Sequence, residues 1–251
     1  MNQLTVLPGC DKSGTAELFE RIDLEPGNVI ALVGPTGAGK SRLLADIEWL
    51  ASGDTPSKRK ILVDGSAVTG KSRYHVGSQL VAQLSQSMSF MVDLAVGPFL
   101  EMHAQSRGLL DAESVVSRVL SAANELAGES FTKDVPLSRL SGGQSRALMI
   151  ADTALLCRSP IVLIDEIENA GVDRRRALAL LLANDKIVMM ATHDPLLALY
   201  AQRRLVIRNG GVAAVIERDE AELILLTELE ATETRIQAVR ERLRHGQSLS
   251  E

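Results

Sequence analysis

Lys40 and Ser41 close the run Gly34-Pro35-Thr36-Gly37-Ala38-Gly39-Lys40-Ser41, whose residue types suit the binding of a polyphosphate. Gly37 and Gly39 permit positive-φ turns and close backbone approach, so that successive N–H groups and a helix N-terminus converge on one anion. In such a loop Lys40 reaches the β- and γ-phosphates and the Ser41 hydroxyl ligates Mg²⁺. The flanks fit: a β-branched apolar run, Val29 to Val33, precedes it, and Leu43, Leu44, Ile47 and Leu50 follow at helical spacing. The same pattern recurs from Gly65 to Ser72 after a strand candidate, Lys60 to Val63. There Gly77 comes too soon for a helix of useful length, which predicts a polar hairpin or loop with no phosphate role.

Three further polar groups stand at the ends of apolar runs. Ile161 to Ile164 reads as a parallel strand buried on both faces and ends in Asp165-Glu166; Lys186 to Ala191 ends in Thr192-His193-Asp194; Gln86 follows the strand candidate Leu80 to Leu84. Ligands sit at the carboxyl edge of such a sheet, so these groups are expected to face the phosphate loop. Two adjacent buried acids without partners would be costly, whereas Mg²⁺ and a water beside a nucleotide satisfy them. Asp165 is assigned to the Mg²⁺ shell and Glu166 to polarising the attacking water. A solitary histidine is more often solvated or part of a core, but at a strand end opposite a phosphate His193 is placed to read the γ-phosphate. Leu140-Ser141-Gly142-Gly143-Gln144 precedes Ala147, Leu148, Ile150, Ala151 and Leu155 at helical spacing. Alone this turn is an N-cap; beside a phosphate loop it is a second anion contact.

The elements that must carry these groups are legible in outline. Gln3 to Leu7 and Leu18 to Leu24 read as strands, Leu94 to Ala104 and Asp111 to Ala127 as helices, the latter capped by Asp111 and stopped by Gly128. Leu205 to Ile207 and Val212 to Ile216 read as a strand pair turning through Asn209-Gly210-Gly211. The end, Asp219 to Leu243, is an amphipathic helix on which Leu225, Leu229, Ile236, Val239 and Leu243 keep a 3-4 spacing interrupted by Thr232. That stripe is expected to pack on its own domain, with a short coiled-coil contact as the other use. A net charge of −5 over 251 residues gives no global basic field, and 3% aromatic content leaves few platforms for base stacking, so nucleic-acid binding is not expected. No signal segment and no run of 18 apolar residues occurs, which reads as a cytoplasmic chain whose membrane role, if any, goes through a partner. Cys10 and Cys157 read as reduced thiols.

Taken together, GPTGAGKS, Gln86 after a strand, LSGGQ, IVLIDE and THD resemble the ATP-binding cassette (ABC) ATPases in order and spacing, from about residue 3 to 215. The resemblance implies an α/β fold: a P-loop NTPase (RecA-like) core with an inserted α-helical subdomain. It would divide the chain into core (1–86), helical subdomain with the signature turn (87–159), core (160–216) and C-terminal helix (217–251). It implies ATP and Mg²⁺ as ligands, with phosphates held by Gly34, Pro35, Thr36, Gly37, Ala38, Gly39, Lys40 and Ser41 and the metal by Ser41, Gln86 and Asp165. Glu166 would be the catalytic base, His193 the switch histidine and Gln86 the sensor of metal and water. Two copies, as homodimer or heterodimer, would close head-to-tail on ATP, so that Ser141, Gly142, Gly143 and Gln144 of one complete the site of the other.

Three departures stand beside that resemblance. The adenine-stacking aromatic is missing: counting back from Gly27 gives Thr15 or Ala16, with Phe19 nearest. After Asp165-Glu166 the segment Ile167 to Asp173 is one residue longer than in transporter ATPases and is similar to soluble ABC-like ATPases of the overcoming-lysogenization-defect type. Asp152 stands where an arginine is common. The turnover is expected to drive either a transporter with separate membrane-spanning chains or, alternatively, a soluble switch that assembles or remodels a macromolecular complex. In the first case Phe90, Met91 and Phe99 would offer a docking surface, unless they fill their own core. A small-molecule kinase would leave LSGGQ without a role.

Overall fold

The computed structural model describes residues 1–68, 70–73, 80–85, 88–109, 111–165 and 172–249. Among these, a six-stranded sheet carries the chemistry. It is built from β3 (Val29–Val33), β6 (Val81–Ser85), β7 (Ile161–Asp165), β8 (Ile187–Ala191), β9 (Arg203–Arg208) and β10 (Gly211–Glu217), in the order β10-β9-β3-β8-β7-β6. All neighbours are parallel except the β9–β10 hairpin. Continuous apolar strands result because both faces are covered. Ile30, Leu32, Leu163, Ile187 and Met189 point to one core, Ala31, Val162, Ile164, Val188 and Met190 to another, in the period of two that a pleated strand imposes.

The first core is closed by α1 (Lys40–Glu48) and by a second sheet ordered β2-β1-β4-β5, from β1 (Leu4–Leu7), β2 (Ile22–Leu24), β4 (Lys60–Val63) and β5 (Ser66–Ala67). The second copy of the phosphate-loop pattern falls in the β4–β5 hairpin and one 3-10 turn, Gly70–Arg73, as the sequence predicts. Such a turn is too short to present a dipole. The second core is closed by α4 (Gly142–Leu155), α5 (Arg174–Leu182) and α6 (Pro195–Tyr200).

A third cluster joins α2 (Val96–Ser106), α3 (Ala112–Leu126) and the outer face of α4. Phe99 is buried there and meets Phe90 edge-on at 5.0 Å, so both fill this helical core, while Met91 is 92% exposed. Asp152, at the position where arginine is common, lies 3.0 Å from His103 and ties α4 to α2. Cys157 follows the end of α4 and Cys10 lies in the loop after β1; both are free thiols.

The last helix, α7 (Glu220–Arg244), departs from expectation. Most of its apolar stripe does not pack on the domain: Leu225, Ile236, Val239 and Leu243 are 45%, 41%, 42% and 57% exposed, and Leu229 is half-buried. The face that packs is largely ionic. Glu222 accepts from Arg204, Glu230 from the Tyr200 hydroxyl, and Glu233 from Arg174 at 3.1 Å, with Leu226 as the buried apolar contact. Arg204 and Arg174 line the receiving surface, so acidic residues suit it better than leucines.

Candidate active site

The parallel register brings four strand ends to one edge. Leu32 pairs with Ala191, Asp165 with Ala191 and Ser85 with Asp165. Gly34 to Ser41, Asp165 and Thr192-His193 therefore leave the sheet side by side; Gln86 and Glu166 lie outside the described residues.

Within the loop, Gly39 has φ 102° and caps α1. A Cβ there would come within 2.6 Å of the Gly210 Cα, and one on Gly34 within 2.5 Å of the Ile207 carbonyl oxygen. The glycines thus serve close packing against the β9–β10 turn as well as positive φ. Gly210 N–H donates to the Ala38 carbonyl at 2.6 Å, and the Lys12 ammonium donates to the Gly37 carbonyl at 3.1 Å. Asn209 holds Asp11 at 3.0 Å and Ser13 at 2.7 Å. The loop is therefore gripped from both chain ends.

Lys40 is only 6% exposed, and its ammonium donates to the Gly34 carbonyl at 2.9 Å. It also lies 3.1 Å from His193 Nε2. An ammonium carries no acceptor, so Nε2 accepts here. The Ser41 hydroxyl donates to Asp165 Oδ2 at 3.4 Å. Two hard oxygen donors at this spacing, beside a loop shaped for phosphates, fit Mg²⁺, which prefers few protein ligands and substrate oxygens for the rest. Among the described residues no cluster of three or more acidic, His or Cys side chains competes as a metal site.

Ser141 caps α4 in a reciprocal box: its hydroxyl accepts from Gln144 N–H at 3.3 Å, and Gln144 Oε1 accepts from Ser141 N–H at 2.9 Å. Ser141 and Gly142 are exposed, and Gln144 also donates to the Glu129 carbonyl. Among the described residues no hydrogen bond joins Ser141 or Gln144 to the phosphate loop of the same chain. The candidate adenine partners differ in fate: Phe19 packs against the first core, and Thr15 and Ala16 are exposed and not aromatic.

Sequence reasoning missed what anchors the site. Arg59, fully buried, donates to Glu17 at 2.6 and 3.0 Å, to Asp46 of α1 at 2.8 Å and to the Gly210 carbonyl at 2.7 Å. Glu17 also accepts from the N–H groups of Gly9 and Val212. Burial pushes the Glu17 carboxyl up, but Arg59 and the two N–H groups outweigh it and hold it below its ordinary range. Missed as well is Arg174, which joins Glu233 of α7 to Asp194, the residue after His193 and the cap of α6.

Comparisons with known proteins place the chain in one family. The family model described as ABC transporter matches residues 21–169. An uncharacterized ABC transporter ATP-binding protein of Methanocaldococcus jannaschii is 46% identical over 250 residues, covering 100% of this chain and 95% of that one. A hemin import ATP-binding protein of Rhodopseudomonas palustris is 32% identical, covering 80% of this chain and 77% of that one. Among solved structures, an ATP-binding subunit of an ABC transporter superposes with TM-score 0.64 at 23% identity, over 93% of this chain and 100% of that one. A component of an ABC transporter complex of Clostridium perfringens gives 0.61 at 23%, over 96% of each chain.

Proposed function

This chain belongs to the ABC transporter family and is an ATP hydrolase that takes MgATP, and on that footing we propose how its residues divide the work. Subunits of this family dimerise and work with membrane-spanning partners. Here the function is that of the nucleotide-binding subunit, and two copies of this one chain close head-to-tail on ATP at the cytoplasmic face of such a partner. Among the described residues no helix is long and apolar enough to cross a membrane.

Gly34 to Ser41 cradle the phosphates, and Lys40 exchanges the Gly34 carbonyl for the β- and γ-phosphate oxygens. Ser41 and Asp165, with Gln86, hold Mg²⁺, which neutralises charge on the phosphates when bound. Glu166 orients and polarises the attacking water, and His193, already against Lys40, takes the Nε2–H tautomer once the γ-phosphate takes Lys40's bond and donates from it to that phosphate. Ser141 and Gly143 of the second copy reach the γ-phosphate from the opposite side, with Gly142 and Gln144 shaping that turn. Phosphoryl transfer needs positioning and charge neutralisation more than covalent chemistry, so a site complete only on closure ties turnover to motion.

The observation that carries this reading is the convergence of two pairs, Lys40 with His193 and Ser41 with Asp165, at one edge of a parallel sheet. ATPase and nucleotide-binding assays on Lys40→Ala and Glu166→Gln test it. Lys40→Ala is expected to weaken ATP binding about 10- to 100-fold, the loss of a charge-assisted hydrogen bond. Glu166→Gln is expected to bind ATP normally and to lose hydrolysis. Unchanged affinity in the first, or wild-type turnover in the second, would move the site elsewhere.

A further inference from the structure

The second half of α7 leaves the body of the protein. From Thr234 to Leu243 every side chain that is described is exposed. A helix segment with so little support is marginal in water by itself. Along it Leu225, Leu229, Thr232, Ile236, Val239 and Leu243 alternate steps of four and three residues without a break, the repeat of a two-helix seam.

We propose that α7 pairs antiparallel with α7 of a second copy of this chain, in a contact that needs no nucleotide. Charge selects the occupant and its direction. The seam is flanked by Glu228, Arg235 and Arg242 on one side and by Leu226, Glu233 and Arg240 on the other. Parallel helices would set Glu228 against Glu233 and Arg235 against Arg240 of the second copy, like charges at every such position. Antiparallel helices layer Leu225 on Leu243, Leu229 on Val239 and Thr232 on Ile236. They bring Glu228 beside Arg242 at both ends and leave two like pairs at the centre, Arg235 with itself and Glu233 with itself, against four in the parallel arrangement. Arg242 donates to the Ser248 carbonyl at 2.5 Å and stays exposed. Glu233 and Arg240, 3.6 Å apart, are tied within their own chain. Flanks of mixed sign also fit a second copy better than an anionic lipid surface, which selects Lys/Arg-rich helices.

The pair is small beside a standard interface, which suits a tether that keeps two copies at high effective concentration while the nucleotide sites open. Only that consequence rests on the ATP sandwich proposed above; the pairing does not.

Sedimentation of the full chain without nucleotide, and cysteine cross-linking after Cys10→Ser and Cys157→Ser, test the proposal. The wild type is expected to be dimeric and Ile236→Glu/Val239→Glu monomeric, with ATP binding retained as the sign of a folded domain. Glu228→Arg should raise the dimer dissociation constant about tenfold, and adding Arg242→Glu should restore it. Arg235→Cys should cross-link to itself, whereas Glu228→Cys and Arg242→Cys should cross-link only to one another. Cross-linking of Glu228→Cys with Glu233→Cys, and of Arg235→Cys with Arg240→Cys, would mean parallel pairing and overturn the proposal. So would a monomeric wild type or a dimer indifferent to Ile236→Glu/Val239→Glu. In the monomeric case, binding to phosphatidylglycerol vesicles that this variant loses would assign the stripe to a membrane.

Discussion

Lys40 makes, in the absence of nucleotide, bonds that its proposed ligand would replace: the Gly34 carbonyl and the His193 ring occupy its ammonium. Removing the ring should therefore affect turnover more than binding. His193→Ala is expected to lower kcat about 10²- to 10³-fold, as loss of an oxyanion donor does, with ATP affinity nearly unchanged; steady-state kinetics beside equilibrium binding check it. At this scale the sequence was informative because each of these residues sits at the end of a local pattern: a strand, then a polar group. Glu17, Asp46 and Arg59 escaped because each meets its partners only through the fold. One signal was available, since Asp46 interrupts the apolar face that Leu43 and Ile47 define on α1. An acid on a core-facing position calls for a buried cation.

At the scale of elements, that buried cluster fastens α1, the N-terminal loop and the β9–β10 turn around the phosphate loop. Arg59→Leu leaves two buried carboxylates without their counter-ion, and is expected to destabilise the fold by about 3–5 kcal/mol in urea titrations. Glu17 gives this a pH dependence. Its pKa is lowered in the folded state from an ordinary 4.5, so its contribution is complete above that value and is lost as pH falls below it toward the folded pKa. Glu17→Gln should accordingly flatten the acid limb of the stability–pH profile while lowering stability at neutral pH. Arg174 fastens a second group, linking α5, α7 and the loop after β8. Arg174→Ala should lower kcat severalfold with the KM for ATP retained, because Asp194 still caps α6 through its other oxygen. The bounds of α2, α3 and α7 were legible to within two residues, and Asp111 and Ser141 mark helix starts locally by accepting from the first turn, whereas the short α5 and α6, capped by Asp173 and Asp194, were not read. The face of α7 that packs was not legible, because the periodicity marks an apolar stripe without saying whether its own domain offers an apolar surface.

For the whole molecule, one chain holds a phosphate loop and a signature turn that share no hydrogen bond among the described residues. In the function proposed above the two become one site when a second copy supplies the turn, and the proposed α7 pairing is a separate means of holding the copies together. Retention of ATP separates these two contacts, since a helix tether cannot trap nucleotide. The decisive measurement is the ATP that stays with the protein through rapid gel filtration, in Glu166→Gln and in Glu166→Gln/Ser141→Arg. The first should retain ATP; the second should bind ATP at equilibrium yet release it on the column, whatever its oligomeric state. Equal retention by both, or none by either, would contradict a nucleotide site completed by the signature turn of a second copy.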